Sequence, residues 1–194
     1  MRLYLTPGAC SLADHIALNE AGLAFEPVRV DLAAKRTEQG ADFLAINPKG
    51  YVPALQLDDG QVLTENVAIL AWIAEQAPHL VPEGPLGRIR MLEMLAYITS
   101  ELHKPLVRMM FPTADADKDA ARALAERRFA LLADKVAGGF LLGGRVSAAD
   151  PYLYVMLRWA RMLELSAPAP LAAFATRMEE RPAVQHALRV EGLA

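Results

Sequence analysis

Two hydrophobic periods meet in the opening stretch "LYLTPGACSLADHIALNEAG". Leu3 to Thr6 form a short β-prone run that ends at the turn pair Pro7 and Gly8. Leu12, Ile16 and Ala17 then recur at helical spacing, and Gly22 predicts a C-terminal stop. "FEPVRVDL", residues 25–32, reads as a second strand, and "KRTEQGADFLAINPKG" as a loop with a short helix halted before Pro48. In "VPALQLDDGQVLTE" two short apolar runs flank Asp59 and Gly60, a pair suited to a tight hairpin turn. "NVAILAWIAEQAP" predicts a helix capped by Thr64 or Asn66 and ended before Pro78.

The predicted order is βαβ, a short helix, ββ and α. Parallel strands joined by a crossover and followed by an antiparallel hairpin make a mixed four-stranded sheet covered by helices. This α/β arrangement is that of thioredoxin-like domains. "APHLVPEGPLG" then places three prolines and two glycines within 11 residues, which marks a linker. Beyond it only the helical period remains. Leu92, Leu95, Leu102, Leu106 and Met109 form one stripe. "DKDAARALAERRFALLADKVAGG" is a second long helix ending at Gly138 and Gly139, and "SAADPYLYVMLRWARMLEL" is a third. The expected domains are 1–77, thioredoxin-like, a linker over 78–86, and an all-α domain over 87–194.

Composition narrows the classes. The 194 residues are 54% hydrophobic and 22% charged, a globular balance. A net charge of −3 supplies no basic field for a nucleic-acid backbone. A single cysteine excludes an internal disulfide framework and fits a reducing cytoplasm. Thr6, Pro7 and Gly8 break the first apolar run too early for an export signal, and no later run reaches the length of a membrane span. His15, His79, His103 and His186 lie far apart with no ligand spacing, so no metal site is expected.

Cys10 falls at a strand-to-helix corner. Unpaired N–H groups and the positive end of the helix dipole favour a thiolate there, while a small apolar core filler is the plainer reading. Pro53, at the start of a strand in "KGYVPAL", is either an ordinary trans proline or a cis proline that exposes the Val52 backbone to an added peptide strand. Glu65 and Asn66 open a helix, either as caps or as receivers of a ligand's amino and carboxylate groups. His103 and Lys104 lie one turn from Ser100, and Pro105 predicts a kink because it donates no N–H to the Glu101 carbonyl. His103 is an acid–base candidate near a thiolate or a half-buried histidine at the domain contact. Lys35 and Arg36 form a solvated pair by default. Ser147 and Asp150 have the spacing of a capping box, which gives Asp150 a structural role. Met109, Met110, Phe111 and Trp159 read equally as an adaptable pocket wall and as core.

The stretches "LYLTPGACSLADHIAL", "ADFLAINPKGYVPALQLDDGQVLTE", "SELHK", "SAADPYL" and "EGL" resemble, in this order, the cytosolic glutathione transferases, and most closely their bacterial beta class. The resemblance spans nearly the whole chain. It implies a homodimer with one site per subunit at the domain boundary, acting on a small electrophile or disulfide. Glutathione is then the co-substrate, with no permanently bound cofactor. It implies that Cys10 forms a mixed disulfide with glutathione, that Val52, ahead of Pro53, pairs with the tripeptide backbone, and that Glu65 and Asn66 hold its γ-glutamyl end. Lys35 would approach the glycine end, His103 and Lys104 the sulfur, and Ser100 and Glu101 the glutathione across the dimer. Leu5, Ala96, Asn66 and Tyr51 depart from the class pattern, and Pro151 should remove a helical donor. A non-catalytic protein that binds glutathione or apolar ligands on the same scaffold is the alternative. A glutaredoxin-type reductase is disfavoured by Ala13 at the resolving position.

Overall fold

A computed structural model describes residues 1–112 and 114–194. The chain divides into two compact units, Met1–Pro78 with Arg181–Ala194, and His79–Glu180.

In the first unit β1 (Arg2–Leu5) leads to α1 (Leu12–Ala21), β2 (Glu26–Asp31), β3 (Arg36–Thr37) and a one-turn helix α2 (Phe43–Ile46). The hairpin of β4 (Ala54–Gln56) and β5 (Val62–Thr64) and the helix α3 (Asn66–Gln76) follow. The sheet order is β3-β2-β1-β4-β5, with β1 parallel to β2 and antiparallel to β4. Alternation along the strands turns Tyr4, Val28, Val30 and Ala54 onto one face, where Phe43 and Val52 complete a core cluster. Leu3 and Leu5 project to the other face and are buried there.

Five strands stand where four were expected. The added one, β3, pairs only Arg36 and Thr37 with β2. Two polar residues carry no apolar alternation, so the period has nothing to report. At Gly22 the α1 C-cap takes φ 67°, a left-handed turn that glycine adopts without a Cβ penalty. At the start of the helical unit Gly87 has the other glycine requirement: a Cβ there would meet the Pro82 carbonyl oxygen at 1.7 Å.

That unit holds α4 (Gly87–Tyr97), a π-helical stretch over Ile98–His103, α5 (Lys104–Met110), α6 (Asp115–Ala133), α7 (Asp150–Met162) and α8 (Ala169–Glu179). The expected kink at Pro105 takes the form of the π-helical stretch, which ends two residues before it. Widening from α to π bonding just where an i→i−4 donor is missing lets the helix run on. Pro151 is the second residue of α7, where an N–H has no partner within the helix, so it removes no internal bond.

The last helix, α9 (Pro182–Glu191), belongs to the first unit, whereas the expected 87–194 domain placed it with the other helices. It lies against α1. Arg181 forms a two-point ion pair with Glu20, Asn19 Nδ2 donates to the Ala183 carbonyl, and His15 Nδ1 meets Glu191 Oε1 at 2.9 Å in full burial. An amphipathic period announces that a helix buries one face, not which element receives it.

Candidate active site

The turn after β1 is closed by Ser11, whose hydroxyl meets the Thr6 N–H and carbonyl, and Ser11 is the residue from which α1 starts. Cys10 therefore stands one residue outside the helix. It is buried at 8% exposure, and its thiol donates to the Val52 carbonyl at 3.5 Å. The Val52–Pro53 peptide is cis.

The expectation of a thiolate favoured by the helix start does not hold for this state of the protein. Burial, then the Asp14 charge, pushes the Cys10 thiol up to about 12, with Glu65 adding to the rise. The N–H groups of Cys10 and Ser11 pull the other way and are outweighed. Desolvation of a charge is the larger effect in a dry site, and the neighbouring charges have the wrong sign for an anion.

Glu65, rather than Thr64 or Asn66, is the N-cap residue of α3; it takes an unusual backbone position, φ 73°, and makes no side-chain cap. Its Oε1 receives Lys49 Nζ at 2.5 Å and the Tyr51 hydroxyl at 2.7 Å, and these donors, Lys49 first, hold its carboxyl below the ordinary range. Asn66 turns inward. Its Nδ2 donates to the Cys10 carbonyl and to Asp14 Oδ2, both at 2.9 Å. Lys35 stands at φ 54° and donates from Nζ to the Gly50 carbonyl at 2.7 Å, so its ammonium bears on the loop that carries Val52. Cys10, Lys35, Val52, Pro53, Glu65 and Asn66 thus share the first unit. Lys49 and Tyr51 join them without having been singled out as ligands, although both lie inside the "NPKGYVPAL" block.

The other candidates lie along one stretch of the helical unit. Ser100 Oγ donates to the Ala96 carbonyl, and Glu101 Oε2 lies 2.7 Å from Arg128 Nε. Lys104 is exposed. His103 Nδ1 meets the Tyr152 hydroxyl at 2.6 Å, and Trp159 packs edge-on to the imidazole at 5.1 Å. Burial pulls His103 down to about 4, so the ring is neutral over the physiological range. Tyr152 was missed because an apolar helix face gives no sign that one of its phenols ends on a histidine 49 residues away. Met109 and Trp159 are buried, Met110 is half-buried and Phe111 is exposed.

Asp150 is held as architecture. Its carboxylate accepts from the Ser147 N–H and hydroxyl and from the Leu141 N–H. The bond from the Ser147 N–H to Asp150 is the contact that the acid of a capping box makes with the residue three before it.

Comparisons with known proteins agree with this architecture. Residues 9–76 match the family model "Glutathione S-transferase, N-terminal domain" and residues 95–182 match "Glutathione S-transferase, C-terminal domain". Glutathione S-transferase GstA of Escherichia coli O157:H7 is 44% identical, with both chains covered in full. A sphingomonad glutathione S-transferase solved in complex with glutathione is 48% identical at a TM-score of 0.93, and both chains are fully covered. The bacterial beta class enzyme of Sphingomonas chungbukensis is 44% identical, again with a TM-score of 0.93 and full coverage of both. With thioredoxin-like and helical units in this order, and relatives of this identity over its whole length, the chain belongs to the glutathione S-transferase family.

Proposed function

We propose that the chain binds glutathione through residues 1–77 and uses it, with Cys10, for conjugation to electrophiles and for thiol–disulfide exchange. The carrying observation is the contact of the Cys10 thiol with the Val52 carbonyl at 3.5 Å. In this reading Val52, before Pro53, pairs with the backbone of the tripeptide's cysteine. The Glu65 carboxylate and Asn66 take the γ-glutamyl end, with Lys35 toward the glycine carboxylate. His103 and Lys104, within residues 87–180, serve the sulfur and electrophile side, and Ser100 and Glu101 meet glutathione across a homodimer. The dimer is supported by the exposed Ile89 and Leu131 and by a groove of about 490 Å³ that Met94, Tyr97 and Leu131 help to line. Glutathione is a co-substrate that comes and goes, and the cytoplasm, rich in thiol reductant, is the compartment this chemistry fits.

For exchange, the Cys10 proton leaves and the sulfur bonds to one sulfur of a disulfide. The old S–S bond breaks, and the departing thiolate is protonated by solvent. For conjugation, the glutathione thiol gives up its proton to solvent and its sulfur bonds to the electrophilic carbon, while the group displaced from that carbon, a halide ion for an aryl halide, leaves with the electron pair of the broken bond. No helix among the described residues is long and apolar enough to cross a membrane.

Cys10→Ser separates the two modes. Reduction of a glutathione mixed disulfide should fall by about 100-fold or more, with loss of the glutathione adduct in intact mass spectra. Conjugation of an aryl halide that survives the substitution assigns that step to the glutathione thiol alone. Absence of glutathione binding by calorimetry in the wild-type protein overturns the whole reading.

A further inference from the structure

Asp14 is a buried acid that packing alone does not account for. It lies in the first turn of α1, one helical turn after Cys10, with no solvent exposure. Its Oδ2 accepts from Asn66 Nδ2, and its Oδ1 has no hydrogen-bond partner. The same Asn66 nitrogen donates to the Cys10 carbonyl, so one amide ties the carboxyl to the backbone of the thiol residue. A carboxylate in such a place has lost its water and recovered one side-chain donor, with some help from its own backbone N–H.

The surrounding charges do not compensate. From α3, Glu65 faces the thiol with its own carboxylate, drawn outward by Lys49 and Tyr51. From α9, Glu191 is taken up by His15 and by the Gly8 N–H. The Asp14 carboxyl stands well above the ordinary carboxylate range because of burial, and its charge is the second cause, after burial, of the high thiol value. Two acids in one dry space each resist ionisation once the other is charged.

We propose that Asp14 is a positioning residue for Cys10: carboxyl and thiol together carry at most one negative charge, so Asp14 must hold its proton while the sulfur is a thiolate. The inference rests on Cys10 as the reacting thiol of the proposed function. In the attack on a disulfide the thiol proton leaves to solvent and the sulfur forms its new S–S bond. The protonated Asp14 beside it adds no opposing charge.

The test is the pH profile of Cys10 alkylation by iodoacetamide, from about pH 5 to about pH 10, in the wild-type protein and in Asp14→Asn. The profile of the variant should move to lower pH by about one unit, which makes alkylation near neutral pH about tenfold faster. A folded Asp14→Asn whose profile coincides with that of the wild type overturns the proposal. Asp14→Ser, smaller and neutral, gives the same reading if the asparagine does not fold. A measurement without any variant completes the test: with carboxyl-13C aspartate, Asp14 should titrate above Asp31 and Asp59, which backbone N–H donors hold low. Titration of Asp14 together with those two overturns it equally. Alkylation needs no glutathione, so a failure of glutathione binding and a failure of this coupling are separate results.

Discussion

Each unit shuts one aspartate away from solvent, and the two are furnished in opposite ways. Asp150 in the helical unit receives three donors at 2.7 to 2.8 Å, two from Ser147 and one from Leu141. Asp14 in the first unit receives one side-chain donor, and one of its oxygens has no hydrogen-bond partner. Both have zero exposure, so burial does not distinguish them. The number of donors does. A saturated buried carboxylate is a staple that holds a loop to a helix, whereas an unsaturated one is free to change its charge and to act on its neighbour.

The sharpest way to break this contrast is Asp150→Ala. Three donors would lose their acceptor in a dry site, and stability should fall by about 3 kcal/mol or more in urea unfolding. A loss under about 1 kcal/mol would mean that the three bonds are replaced by water and that saturation is not what holds the turn.

How far each aspartate could be read from the chain follows from the same difference. Ser147 and Asp150 are three residues apart, so their spacing is visible and their pairing could be read from it. The partner of Asp14, Asn66, is 52 residues away, and no local period connects them. Long-range pairing likewise hid the union of His15 with Glu191, 176 residues apart, and with it the place of α9. Strands and helices with a strong period were legible, as were the corner at Cys10 and the hairpin at Gly60. The depth of the sulfur was not, because a turn motif fixes where a residue stands along the chain and leaves the packing above it open. The π-helical stretch had one local signal, Pro105, which says that a donor is missing and not how the helix adjusts.

A subtler probe is the pH dependence of stability in Asp14→Asn. The Asp14 carboxyl is raised on folding, so between its unfolded value, near about 3.9, and its higher folded value the native state binds more protons than the unfolded chain. Its contribution is therefore complete in acid and is lost as pH rises. Relative to the wild type, Asp14→Asn should gain stability steadily from about pH 4 toward neutral pH in urea titrations at fixed ionic strength. A difference that stays flat across that range would return Asp14 to the class of Asp150.

The smallest effect is expected at a third acid, Glu65, which has two donors and is half-exposed. Lys49 and Tyr51 meet one oxygen of its carboxylate at the surface, where solvent screens the interaction and an ion pair adds little to stability. Tyr51→Phe should therefore leave the unfolding midpoint where it is. Its effect should fall on recognition, because the phenol helps to aim the carboxylate that takes an amino group in the proposed function. Loss of one such hydrogen bond corresponds to a weakening of glutathione binding by about two- to tenfold in calorimetry. The sign of the pH effect is fixed as well. The Lys49 and Tyr51 donors keep Glu65 ionised below the ordinary carboxylate range, so removal of the phenol lets its value climb. Binding by the variant should then fail at a higher pH than binding by the wild type as the solution is acidified. If Tyr51→Phe lowered the midpoint of unfolding and left affinity untouched, Glu65 would be another structural acid, and exposed donors would count for as much as buried ones.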